Sequence, residues 1–248
     1  MFYTENLFFS EEMSLGDAFV LNGAVHHFAS LCHTLYLPSN EVYFDSIQCL
    51  YKDWKHIKVI RTPEYHELLK SLPNSFHLKI PHLYYMTVRV TNNEAQTIAI
   101  NWERQNYENL GIPYSVRYTG ARIPEFVEGA KELKDQLTGG VQDYAVVGRY
   151  MQGENIPLNF DITQFTGNLK VVEITPGITK NILQYVDLIR GAKQIHVIPS
   201  SIHALVDSMW NEVTPDLFFH HIRKNYVGQV NSCLNRGRWR VVNYGVQY

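Results

Sequence analysis

Apolar and polar positions alternate along this chain in two rhythms. Between Leu15 and Cys32, Ala18, Leu21, Val25, Phe28 and Cys32 recur at helical spacing, which predicts one long amphipathic helix. Short apolar runs punctuate the rest. Asn6–Ser10, Thr34–Ser39 (ended by Pro38), His56–Thr62, Ser75–Ile80 and Tyr84–Val90 read as strands. Helical spacing separates them at Phe44–Asp53, at Pro63–Leu72 with its proline at the helix start, and from Asn93 to Leu110. Ile123–Leu137 reads as a further helix, closed by Gly139-Gly140. The pattern then restarts with strands at Asp143–Tyr150, Asn168–Thr175, Gln194–Ser200, Asp216–Arg223 and, late, Arg236–Gly245. Helices fall at Thr179–Ala192 and Ser201–Trp210.

Strands alternating with helices predict an α/β architecture of parallel sheets flanked by helices. The restart predicts two Rossmann-like halves, residues 1–139 and 140–248. In such sheets ligands bind beyond the carboxyl ends of the strands.

Composition narrows the classes. The 248 residues suffice for one large or two small domains, and 45% of them are apolar. A net charge of −2 with dispersed Lys and Arg marks no nucleic-acid partner. Residues 1–13 carry acids where a secretory signal carries bases, and no run of about 18 apolar residues occurs, so no membrane span is expected. The three cysteines, Cys32, Cys49 and Cys233, fit neither a zinc pattern nor a disulfide framework. Reduced thiols and a cytoplasmic location are the expectation.

Two stretches carry candidate chemistry. In Pro199-Ser200-Ser201-Ile202-His203-Ala204, a strand gives way to a helix. The buried stripe of that helix is Ile202, Leu205, Val206 and Met209, with His203 off it in the first turn. Hydroxyls, unpaired backbone N–H groups and a histidine at a helix N-terminus suit a diphosphate, and Asp207 stands four residues on to orient the imidazole. The plainer reading is an N-cap serine and a surface histidine. In Ser14-Leu15-Gly16-Asp17, an acid opens the first helix. Asp17 either caps it or faces a ligand, and Gly16 permits close approach. Asn22 and His26 follow at helical spacing, on the acceptor side of the same cleft.

Together these stretches resemble GT-B-type glycosyltransferases, in particular the lipopolysaccharide heptosyltransferase group, glycosyltransferase family nine. Leu15-Gly16-Asp17 is similar to that group's first loop. Its late motif reads Asp-Ser/Thr-Gly-x-x-His-x-Ala. Here the Asp is absent, Ser201 replaces Gly, and one residue is missing between Ser and His. Residues 40–60 and 106–118 resemble further segments of the group and of small bacterial and viral relatives.

The resemblance implies a compact, metal-independent transferase without a resident cofactor. A nucleotide-sugar donor would bind the second half and a glycan or lipid-linked glycan acceptor the first. It implies Asp17 as catalytic base and Ser200, Ser201 and His203 as donor contacts. Arg149, at the end of a strand, is a candidate phosphate cation or a partner for a surface acid. Thr179 and Lys180 open the next helix toward ribose or phosphate, with capping the plainer job for Thr179. Arg117 is a further candidate near the hinge. No GxxxxGK[ST], full GxGxxG, DxD or HExxH is present, and the His26-His27 and His220-His221 pairs diverge on regular elements. A nucleotide-sugar epimerase and a non-catalytic nucleotide- or glycan-binding protein remain the alternatives.

Overall fold

The computed structural model describes residues 4–9, 13–72, 75–78, 102–150, 160–221 and 237–244. The expected strand Tyr84–Val90 and the start of the helix expected from Asn93 lie outside them.

The first half runs β1 (Thr4–Phe9), α1 (Leu15–Val20), α2 (Asn22–Ala29), β2 (Cys32–Ser39), α3 (Phe44–Leu50), β3 (Ile57–Arg61), α4 (Thr62–Ser71) and β4 (Ser75–Leu78). Helices α5 (Trp102–Asn109), α6 (Val116–Thr119) and α7 (Ala130–Thr138) follow. Then come β5 (Tyr144–Gly148), α8 (Thr163–Thr166), β6 (Lys170–Ile174), a 3₁₀ turn at Ile182–Tyr185 and α9 (Val186–Gly191). The described chain closes with β7 (Gln194–Val197), α10 (Ser201–Ser208), β8 (Asp216–His221) and β9 (Trp239–Asn243).

The strands form two sheets, ordered β3-β2-β1-β4 and β6-β5-β7-β8-β9, and every pairing is parallel. Parallel strands need crossover helices, which bury both faces and explain the fully buried run at Tyr144–Gly148. Helix α7 packs against α9, the 3₁₀ turn and β6, all elements of the second half. β2 continues through Pro38 instead of stopping there. Its pairing with β1 is over by Tyr36, so at the proline only β3 remains alongside. The helix expected from Ile123 begins at Ala130, after Gly129 takes a positive φ of 76°.

The single helix expected over Leu15–Cys32 is two helices, broken at Leu21, and Cys32 opens β2. A tyrosine from α5 causes the break. Tyr107 Oη donates to the Val20 carbonyl at 2.9 Å and accepts from Ala24 N–H at 3.2 Å, filling the place of an i→i+4 bond. The Val20 carbonyl also accepts from Arg117 Nη1 at 3.0 Å.

Arg117, a candidate ligand residue in the sequence, is taken up inside the fold. It is 1% exposed and ion-paired to Glu103 of α5 at 2.9 Å and to Asp207 of α10 at 2.6 Å. α1 packs along α10, and the Ser208 hydroxyl donates to the Phe19 carbonyl at 2.8 Å. Gly23 allows α2 to touch α6, since a Cβ there would sit 2.1 Å from the Val116 carbonyl oxygen. A methionine in place of Arg117 leaves two buried carboxylates without their cation. Arg117→Met is expected to cost about 3–5 kcal/mol in urea unfolding, and an exposed control, Arg104→Met, well under 1 kcal/mol.

Candidate functional site

The strand orders locate the ligand-binding edges before any side chain is considered. In each sheet the order reverses once, beside β1 in the first and between β5 and β7 in the second. At such switch points the outgoing loops diverge and leave a crevice at the carboxyl ends. The loop after β1 delivers Gly16 and Asp17. The residues after β5 begin with Arg149, and those after β7 deliver Ser200 and Ser201. Helix α1, which carries Gly16 and Asp17, packs against α10, which begins at Ser201.

Asp17 is half-buried and completes a capping box. Ser14 N–H donates to its Oδ2 at 3.2 Å, and its own N–H donates to Ser14 Oγ at 3.4 Å. Tyr43 lies near enough that the Asp17 charge, after burial, helps raise the phenol above its usual range. Among the described residues, an added Cβ at Gly16 would meet only Ser14 Oγ, at 4.0 Å.

Asn22 and His26, expected on the acceptor side, are buried. Asn22 Oδ1 accepts from Arg122 N–H at 2.5 Å, which ties α2 to the chain after α6. The His26 ring lies 4.3 Å from Trp54 and 5.6 Å from Tyr51. Burial, with Arg122 and His56 nearby, lowers its pKa to about 4.

At the second switch point Ser200 is the N-cap. Its hydroxyl accepts from His203 N–H at 3.3 Å and donates to the Ile198 carbonyl at 3.0 Å. Ser201, the first residue of α10, is half-buried. His203 is not at the surface. Its ring is buried between Phe219 and Trp239, each at 4.9 Å, and burial lowers its pKa to about 4. The last strands supply those rings, so the first-turn position gave no sign of them. Asp207, expected to orient His203, binds Arg117 and accepts from Trp239 Nε1 at 3.3 Å. Burial pushes its carboxyl upward against the pull of Arg117.

Arg149 stands at the edge where it was expected, yet it is engaged. Its Nη1 donates to the Phe160 carbonyl at 2.5 Å, its Nε lies 3.4 Å from Glu173, and the guanidinium sits 4.2 Å over the Phe160 ring. Thr179 caps, donating to the Asn181 carbonyl at 3.1 Å and accepting from Asn181 N–H at 3.0 Å. Lys180 is exposed, and its carbonyl receives the Ser46 hydroxyl of α3 at 3.3 Å.

Sequence reasoning missed an ordered chain on the second sheet. Gln194 Nε2 donates to the Phe165 carbonyl at 3.0 Å, leaving Oε1 as the acceptor for His196 Nε2 at 3.2 Å. His196 Nδ1 then accepts from His220 Nε2 at 2.9 Å, and His220 Nδ1 accepts from Tyr244 Oη at 2.8 Å. The signal was present. Residues 196 and 220 lie on adjacent strands and share a face, because His196 pairs with Phe218. Among the described residues no group of three or more His, Cys, Asp or Glu is arranged to hold a metal, and no helix is long and apolar enough to cross a membrane.

No family model matches the chain, and no curated protein does. Solved structures do. The iron-containing dodecameric glycosyltransferase TibC from enterotoxigenic E. coli H10407 aligns over 88% of this chain, with TM-score 0.54 and 13% identity. The heptosyltransferase TibC in complex with ADP-D-beta-D-heptose aligns over 88%, with TM-score 0.50 and 13% identity. The glycosyl transferase family 9 protein from Veillonella parvula DSM 2008 aligns over 100% of this chain and 89% of its own length, with TM-score 0.59 and 10% identity. This chain spans 59% and 58% of the two TibC chains. The likeness is one of fold, and it agrees with the compact GT-B-like architecture expected from the sequence.

Burial makes stability depend on pH. His26, His196 and His203 titrate at about 4 and His220 at about 3, against 6.5 when exposed. Below pH 6.5 the unfolded chain takes up protons that the folded chain refuses, so stability falls as pH drops from 6.5 toward 4, and these four groups contribute no slope above that range. Asp207, raised by burial, acts in the opposite sense, but it is one group against four. The urea midpoint is expected to be lower at pH 5 than at pH 7, and His220→Gln is expected to flatten that slope.

Proposed function

We propose that the chain moves a glycosyl group from a nucleotide-sugar donor to a hydroxyl of a glycan or lipid-linked glycan, with Asp17 as base. The observation that carries this reading is the packing of α1, the helix that carries Asp17, against α10, the helix that follows the second switch point.

The acceptor occupies the first half's edge and the donor the second's. The Asp17 carboxylate takes the proton of the acceptor hydroxyl as its oxygen attacks the anomeric carbon. The bond from that carbon to the diphosphate oxygen breaks, and the nucleoside diphosphate leaves with the electron pair. Its charge meets the backbone N–H groups of Ser201 and Ile202 and the Ser201 hydroxyl at the α10 N-terminus. Lys180 is the exposed cation assigned to the diphosphate. These groups carry the leaving charge in a metal-independent step. His203 supports the site from below, as packing under the first turn of α10. The ADP-linked sugar bound to TibC supports trying ADP-linked donors first.

One observation favours a second reading. The capping box already gives Asp17 a structural task, which suits a non-catalytic nucleotide- or glycan-binding protein. Asp17→Asn separates the two. For a base, turnover is expected to fall by about 10²–10⁴-fold while donor affinity holds. For a cap alone, turnover is unchanged and stability drops by about 1 kcal/mol or less. Thermal shift with ADP, UDP, GDP and CMP, each free and sugar-linked, selects the donor. A shift confined to one nucleotide family is the expected result.

A further inference from the structure

A groove of about 880 Å³ lies between α3 and the 181–184 segment, a volume in the range of small-molecule sites. Neither Asp17 nor any residue of α10 lines it. One wall is a stripe of α3 and the turn after it, where Asp45, Gln48, Cys49 and Lys52 recur at spacings of three and four. Trp54, Lys55 and Lys58 continue that wall to the edge strand β3, and Glu128, Asn181 and Gln184 complete the lining.

Three features define the occupant. The first is charge. Lys52, Lys55 and Lys58 oppose two carboxylates, Asp45 and Glu128. Lys52 is held on the Phe126 carbonyl, whereas Lys55 and Lys58 form no ion pair among the described residues. Two ammonium groups three residues apart suit a phosphate.

The second feature is a fixed flat surface. Trp54 is half-buried, with its ring 4.3 Å from His26 behind it and edge-on to His56 at 5.7 Å. The turn that carries it is closed by Trp54 N–H to the Tyr51 carbonyl at 3.0 Å and Ile57 N–H to the Trp54 carbonyl at 2.9 Å. An indole pinned in this way offers one face at little entropic cost. The third feature is the amide pair. Gln48 comes from α3, and Asn181 has its Oδ1 committed to Leu183 N–H at 3.0 Å, which turns its NH₂ to other work. Amides match sugar hydroxyls, which both donate and accept.

We infer that this groove is a second ligand site, built for a phosphate-bearing sugar ring. The ring lies on Trp54, the phosphate between Lys55 and Lys58, and the hydroxyls toward Gln48 and Asn181. A sugar phosphate and a nucleotide share that chemistry. The site stands whether or not glycosyl transfer is the activity.

Equilibrium dialysis of the full chain against glucose 6-phosphate, AMP and inorganic phosphate tests it. Glucose 6-phosphate or AMP is expected to bind saturably, at least about tenfold tighter than inorganic phosphate, and to weaken as salt rises. Lys55→Glu/Lys58→Glu, two exposed positions, is expected to keep the melting temperature and lose at least about tenfold in that affinity. Trp54→Leu is expected to lose binding of the ring-bearing ligands while inorganic phosphate is unaffected. Tighter binding of AMP than of glucose 6-phosphate assigns the ligand to nucleotides, and the reverse to sugar phosphates. Binding of neither, or binding undiminished in the lysine double variant, overturns the proposal. So does inorganic phosphate bound as tightly as the organic phosphates.

Discussion

A single buried guanidinium organises the junction of this molecule. Arg117 comes from a four-residue helix with little packing surface of its own, yet it gathers Glu103 from α5, Asp207 from α10 and the carbonyl that ends α1. Removing a guanidinium from water is tolerable only when several of its donors find partners, and charged ones above all. Each of those partners belongs to a different element, so the charge fixes the mutual placement of all of them. Helices α1 and α10 are the ones that lead out of the two switch points. The mutual placement of α1 and α10 thus depends on a contact buried inside the fold.

The break at Leu21 belongs to the same arrangement. Had α1 and α2 been continuous, the Val20 carbonyl would have been spent on Ala24 N–H. Because Tyr107 occupies that place, the carbonyl is open to Arg117 as well. The short α1 is therefore aimed by tertiary contacts at both ends. A capping box holds its start and a guanidinium and a phenol hold its finish. Asp17 inherits its direction from both.

Much of the architecture could be read from the sequence, for a physical reason. Strands buried on both faces are largely apolar, so Tyr144–Gly148 announced itself, and the restart after Gly139-Gly140 precedes the second sheet. The placement of Asp17, Arg149 and Ser200 beyond strand ends followed from the alternation of elements. The features that escaped are set by residues far away in the chain. Tyr107 breaks a helix 83 residues upstream of it, and Arg117 meets Asp207 across 90 residues. His203 is covered by rings at 219 and 239. Local periodicity records which face of a helix is apolar. It does not record which polar residue another element will bury, and that is why the ion pairs of Arg117 and the rings around His203 could not be read from it.

The Ser208 hydroxyl bridges the Ala204 carbonyl of its own helix and the Phe19 carbonyl of α1. This small staple, beside a buried charge cluster, makes swinging the halves apart expensive. Parting α1 from α10 would strand the Phe19 carbonyl and the Asp207 carboxylate in the same movement, so the two helices behave as one piece.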